Sequence, residues 1–123
     1  MEWKLDRSRP ICPQIVERLH VAIASGELSP GEKLMSVREV ALAAGVNPNT
    51  VQKSFEELER SGAVYSVRGT GWFVSDDTSS AKRKTESMVT ERVAEFFDDM
   101  KRLGVGEDDA KKYVNEWKGG AAQ

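Results

Sequence analysis

Residues 34–75 constrain the fold more than any other stretch of this chain. Ser36-Val37-Arg38-Glu39 is a capping box: the serine hydroxyl accepts from the amide three residues on, and the glutamate reaches back. Val37, Val40 and Ala41 form the buried side of the helix it opens, and Gly45 ends that helix in a position that favours a left-handed backbone. Asn47 caps a further helix with Pro48 at its first position, Val51, Phe55 and Leu58 on its inner face, and Gly62 as its stop. Two β-rich runs, Ala63 to Val67 and Trp72 to Val74, flank the basic, glycine-rich tip Arg68-Gly69-Thr70-Gly71. Helix, tight turn, helix and hairpin in that order make a winged helix-turn-helix, so the fold class is mainly α with a small β-hairpin.

The rest of the chain arranges itself around that unit. Pro10 and Pro13 are expected to keep residues 1–12 irregular, with Pro13 at the first position of a helix over 13–25. Ile15, Val16, Leu19, Ala22 and Ile23 recur at three- and four-residue steps and give that helix one apolar stripe, and Gly26 ends it. Lys33-Leu34-Met35 reads as a short extended edge. Residues 76–84 hold no large apolar side chain and are expected to be a polar linker after a winged domain of 1–75. Beyond them Val89, Val93, Phe96, Met100 and Leu103 step by four, three, four and three, with Met88 and Phe97 widening the stripe. Gly104-Val105-Gly106 breaks this helix, and Ala110, Tyr113, Val114 and Trp117 line a short last one. Residues 85–118 are therefore expected to form a two-helix region, and 119–123 a frayed tail.

Composition bounds what such a chain can do. Its 123 residues suffice for one domain and an appendage, and the net charge is −2, so a DNA-facing surface must come from the placement of cations rather than their surplus. Residues 1–75 hold nine Lys/Arg and nine Asp/Glu. Cys12 is the single cysteine, which excludes an intrachain disulfide, and no apolar run approaches a membrane span. The N-terminus lacks the apolar core of a signal peptide. These features point to the cytoplasm. No nucleophile–base pair, phosphate loop or metal-ligand spacing is present, so neither an enzyme nor a metal or cofactor site is expected. His20 stands alone as an ordinary side chain of the first helix, and Cys12 reads as a structural thiol. The run Glu107-Asp108-Asp109 suits the dipole at a helix N-terminus better than a cation.

Placement favours double-stranded DNA as the partner. The last helix of the helix-turn-helix opens with short polar side chains: Asn47, Asn49 and Thr50, then Gln52 and Lys53. Asn and Gln can pair with adenine edges, and a threonine methyl can pack on thymine. Asn47 serves mainly as the cap. Glu56, Glu57 and Glu59 fall in later turns, away from the presumed groove. The tip Arg68-Gly69-Thr70 offers a cation between residues that allow close backbone approach. Arg38 is the other strong candidate for a phosphate or base edge, with Lys33 and Arg9 weaker ones.

These residues together resemble the DNA-binding domain of the GntR family of bacterial transcription regulators. The matching stretches are Gly26 to Leu34, Ser36 to Ala41, Val46 to Val51, Leu58 to Gly62 and Arg68 to Val74, in the family's order and spacing. The resemblance implies that Arg38, Asn49, Thr50, Arg68 and Gly69 meet operator DNA. Met35 departs from the proline usual before Ser36, Cys12 from a tyrosine, and Pro48 and Gln52 stand where some members carry arginines, so no operator sequence carries over. The short C-terminal region is similar to the small YtrA-like subfamily, whose C-terminal helices dimerise, and this implies a repressor acting at a palindromic operator.

The residues agree on dimerisation independently. Two short helices cannot enclose one wide apolar face alone, so Val89, Val93, Phe96, Phe97, Met100, Leu103, Tyr113, Val114 and Trp117 are expected to pack on the winged domain or on a second chain. A homodimer would set two recognition helices about one DNA turn, ~34 Å, or a multiple of it apart. Nothing in the sequence identifies a small-molecule effector, and a region this small leaves little room for an enclosed pocket. The alternative reading is a winged-helix module for protein–protein contact, with the C-terminal helices as its docking surface.

Overall fold

The protein is described here by a computed structural model covering residues 1–120, so residues 121–123 of the expected tail lie outside the described residues. The chain forms two compact units, Met1–Glu86 and Ser87–Gln123.

In the first unit, helix α1 spans Ile11–Ser25 with Pro10 as its N-cap. The prolines expected to delay this helix instead begin it. Pro13 is its third residue, in the first turn, where an amide has no helical partner to lose. Ile15, Leu19, Ala22 and Ile23 are buried, as their spacing requires. Helix α2 spans Val37–Ala44 and α3 spans Pro48–Arg60. Helix α3 is the hub of the unit and packs against α1, α2 and the first strand of the hairpin. Phe55, Ile15, Val51 and Leu58 are fully buried at this junction, each contributing roughly 1.5–3 kcal/mol by leaving water.

Strands β1 (Val64–Val67) and β2 (Gly71–Val74) pair antiparallel, Val64 opposite Val74 and Val67 opposite Gly71. The stretch expected as an extended edge lies along β2. Lys33 bridges to Phe73, the Leu34 amide donates to the Trp72 carbonyl at 2.8 Å, and the Val74 amide donates to the Glu32 carbonyl at 2.9 Å. Trp72 meets Phe55 edge-on, ring centroids 5.6 Å apart, and packs against the core of the unit. The Ser54 hydroxyl donates to the Cys12 sulfur at 3.3 Å, and Cys12 is half-buried. His20 is buried, with its Nε2 3.3 Å from the Ser61 hydroxyl.

Helix α4 spans Ser79–Arg102, so residues 79–84, expected as linker, are helical. Polarity marks a stretch as solvated, not as irregular, and Lys82-Arg83-Lys84 are good helix formers. The Asp77 carboxylate accepts from the Ser79 amide at 2.9 Å, and the Lys82 amide closes the first turn on the Thr78 carbonyl. Ala81 is buried and anchors this turn to the core of the first unit. In the second unit, α5 spans Glu107–Glu116 with three acids in its first turn, and Lys111 pairs with Glu107 at 3.1 Å. No helix of the described residues is long and apolar enough to cross a membrane.

Candidate nucleic-acid interface

The turn between α2 and α3 sets the geometry. Gly45 takes φ +67°, where a Cβ would be strained, and this turns the chain so that the Val46 amide donates back to the Ala41 carbonyl at 3.0 Å. Asn47 then caps α3, its side-chain oxygen accepting from the Asn49 amide at 2.8 Å. That bond uses the Asn47 carbonyl end for the helix, in keeping with its reading as mainly a cap.

Helical spacing divides α3 cleanly. Val51, Ser54, Phe55 and Leu58 face inward, while Asn49, Gln52 and Lys53 lie on the opposite, exposed side and Thr50 is half-buried at the margin. The Gln52 amide leans on Glu56 at 3.3 Å. Glu59 turns to the hairpin, accepting from the Ser66 amide at 3.2 Å and its hydroxyl at 2.9 Å. Its charge is thus engaged at the far end of the helix from Asn49.

Arg38 is exposed in the first turn of α2, next to the capping box, which is formed on both sides: Glu39 amide to Ser36 hydroxyl at 3.1 Å, and Ser36 amide to Glu39 carboxylate at 3.0 Å. The bond donated by the Ser36 amide, then that by its hydroxyl, holds the Glu39 carboxyl below its ordinary pKa. At the hairpin tip the Thr70 amide donates to the Val67 carbonyl at 2.9 Å, and Gly69 takes φ +77° at the position where a type II turn requires a positive φ. Arg68, Gly69 and Thr70 are all exposed.

Among the described residues Arg38, Lys53 and Arg68 make no ion pair, and neither do Lys33 and Arg60. Three others are committed within the fold. Arg18 grips Glu27 with two bonds of 3.0 Å, Arg9 pairs with Asp6 at 3.0 Å, and Arg7 donates to the Ala44 and Gly45 carbonyls at 2.6 and 3.0 Å. Arg9, a weaker sequence candidate for phosphate, is therefore partly spent on Asp6. Lys33 runs along the hairpin, with Cε 3.2 Å from where a Cβ on Gly71 would stand. Arg7 and its neighbours are what sequence reasoning missed. Irregular segments carry no periodicity, and the Asp6-Arg7-Ser8 turn was the one available sign.

The second unit presents the other candidate surface. Val89, Val93, Leu103, Tyr113, Val114 and Trp117 are exposed, Trp117 by 71%, while Phe96, Phe97 and Met100 are half-buried. Leu103 and Trp117 lie just past the ends of α4 and α5 rather than within them. Two open apolar grooves of about 580 and about 710 Å³ run along this surface and share Phe96 and Val114. Of the residues in this unit, Ala110 is the one buried hydrophobic among those described. Among the described residues no cluster of three His, Cys, Asp or Glu could hold a metal.

Known proteins share this arrangement. The model for bacterial regulatory proteins of the gntR family matches residues 13–74. The HTH-type transcriptional repressor YtrA of Bacillus subtilis is 33% identical over 89% of this chain and 85% of its own length. A GntR family transcriptional regulator from Listeria monocytogenes superposes with a TM-score of 0.82 at 33% identity, over 93% of this chain and all of that one. The DNA-binding domain of AraR, solved in complex with its operator ORE1, superposes with a TM-score of 0.53 at 28% identity, over 61% of this chain and 94% of that one.

Proposed function

The chain belongs to the GntR family of bacterial regulators, in its YtrA-like branch, and is a DNA-binding transcription regulator; from that premise we propose that it is a homodimeric repressor that occludes a promoter by binding a palindromic operator in the cytoplasm. Helix α3 enters the major groove. Asn49, Thr50 and Gln52 read base edges, and Lys53 meets the backbone beside them. Arg38 takes a flanking phosphate or base edge. Arg68, Gly69 and Thr70 bring the hairpin tip to the adjacent groove or backbone, and Asn47 chiefly holds the start of α3 in shape.

The observation that carries this reading is the outward face of α3: Asn49, Gln52 and Lys53 are exposed opposite the buried Val51, Ser54, Phe55 and Leu58, and no ion pair among the described residues occupies Lys53, Arg38 or Arg68. A domain with no surplus charge can bind a polyanion when exposed cations are left free of carboxylate partners. The apolar face of α4 and α5 supports the dimer, since it is too large to leave in water and too shallow for the two helices to enclose. The AraR complex supports operator binding by the same fold. Selection of bound duplexes from a random library, at near-physiological salt and without added ligand, tests the proposal. Enrichment of a two-fold symmetric motif is expected. Enrichment of a single asymmetric half-site would overturn the dimeric part, and no enrichment would overturn ligand-free operator binding.

A further inference from the structure

The segment before α1 has no role in the reading above, yet it is pinned at several points. Trp3 packs against the core of the first unit. The Arg18 guanidinium donates to the Glu2 carbonyl at 2.8 Å. Gln14 holds both backbone groups of Asp6, accepting from its amide at 2.7 Å and donating to its carbonyl at 2.9 Å. The Asp6 carboxylate in turn fixes Ser8, through its amide at 3.0 Å and its hydroxyl at 2.6 Å. Residue 7 therefore projects from a loop whose two sides are tied to α1.

Arg7 spans from this loop to the carbonyls of Ala44 and Gly45, the last groups of α2 before the turn. A cation at a helix C-terminus satisfies orphan carbonyls and complements the dipole. Its two donors sit on separate nitrogens of one planar fork and hold the turn at two adjacent points in a fixed geometry. The fit is close: a Cβ on Gly45 would stand 3.3 Å from Arg7 Nη2. Two residues beyond Gly45, Asn47 caps α3.

We propose that Arg7 is a positioning residue for DNA recognition: it clamps the α2–α3 turn to the α1 scaffold and so sets the pose of α3, without itself touching DNA. This rests on the reading of α3 as the groove-entering helix. It predicts a loss of discrimination rather than a loss of phosphate contact. Binding to an arbitrary duplex depends on charge and tolerates a tilted helix, whereas base-edge contacts do not.

The test compares wild type, Arg7→Ala, Arg7→Lys, Gln14→Ala and the Arg7→Ala/Gln14→Ala double variant. Each is measured on the duplex that wild type selects and on a scrambled duplex of equal length, across a salt series, with a thermal melt of the free protein. Arg7→Ala is expected to fold and to bind the selected duplex about tenfold more weakly. Its affinity for the scrambled duplex and its salt slope should be nearly unchanged. Arg7→Lys should recover part of the loss, since an ammonium keeps the charge at the helix end without the planar fork. Gln14→Ala should weaken binding in the same direction, and the double variant should lose less than the sum. Unchanged affinity in a folded Arg7→Ala would overturn the proposal. So would a slope reduced by about 0.9, which marks a lost phosphate contact. Should Arg7→Ala fail to fold, wild-type discrimination in both Arg7→Lys and Gln14→Ala would overturn it as well. Wild type that selects no duplex would instead overturn the groove reading on which this one stands.

Discussion

Arg68 stands at the tip of the hairpin with no carboxylate paired to it, held there by a three-residue connection between Val67 and Gly71. Arg68→Ala removes one cation and nothing from the core. The expected outcome is weaker duplex binding and a salt slope shallower by about 0.9, read from binding titrations over a salt series. An unchanged slope would count against the tip as a phosphate contact. His20 is the opposite case, a titratable group placed inside. Burial first, and the nearby Lys84 charge second, hold its pKa below the ordinary histidine value. The folded state therefore takes up a proton less readily than the unfolded one. Stability should be constant above that ordinary value, about 6.5, and fall as pH drops below it. Thermal melts at about pH 7.5 and about pH 5.5 should differ by less in His20→Gln than in wild type. Nothing in the sequence marked His20 as buried, because one polar residue on an amphipathic helix is compatible with either face.

At the scale of elements, the caps carry the readable information. Ser36 and Glu39 announced the start of α2, and both halves of the box are present. Ser36→Ala should cost about 1 kcal/mol, seen as a lower denaturant midpoint at unchanged slope. An unaltered midpoint would mean that tertiary packing alone holds the helix. Asn47 and Pro48 announced α3 in the same way. The starts of α1 and α4 were misjudged because they rest on weaker signals. At α1 the proline fell within the first turn, where it is tolerated. At α4 a polar run without apolar spacing hid only the opening residues 79–84, where the Ser79 amide donates to the Asp77 carboxylate and Ala81 is buried. Periodicity reports which face is buried, so a helix solvated on nearly all sides leaves no trace of that kind.

For the whole molecule, the apolar face of α4 and α5 is the feature that its own unit leaves uncovered. Phe96 lies where the two grooves meet and packs edge-on against Phe97, ring centroids 5.3 Å apart. Phe96→Asp should convert the proposed dimer to monomer and weaken palindrome binding more than half-site binding. Light scattering checks the first effect, and titration with the two duplexes checks the second. A variant that remains dimeric would place the interface elsewhere. The family match also decides between the two partner classes left open by the near-neutral charge, in favour of DNA over protein docking.

The sequence by itself determined the element order, the caps of α2 and α3, the inward face of α3 and the family, because each depends on residues close together in the chain. Only the tertiary structure decided which cations are free. Arg7, Arg9, Arg38, Lys53 and Arg68 carry the same charge, and what the fold adds is whether a carbonyl or carboxylate is brought within hydrogen-bond distance. For Arg7 those acceptors lie 37 and 38 residues away. Local pattern carries no information about such a pairing, which comes into being when α1 and the α2–α3 turn meet across the core.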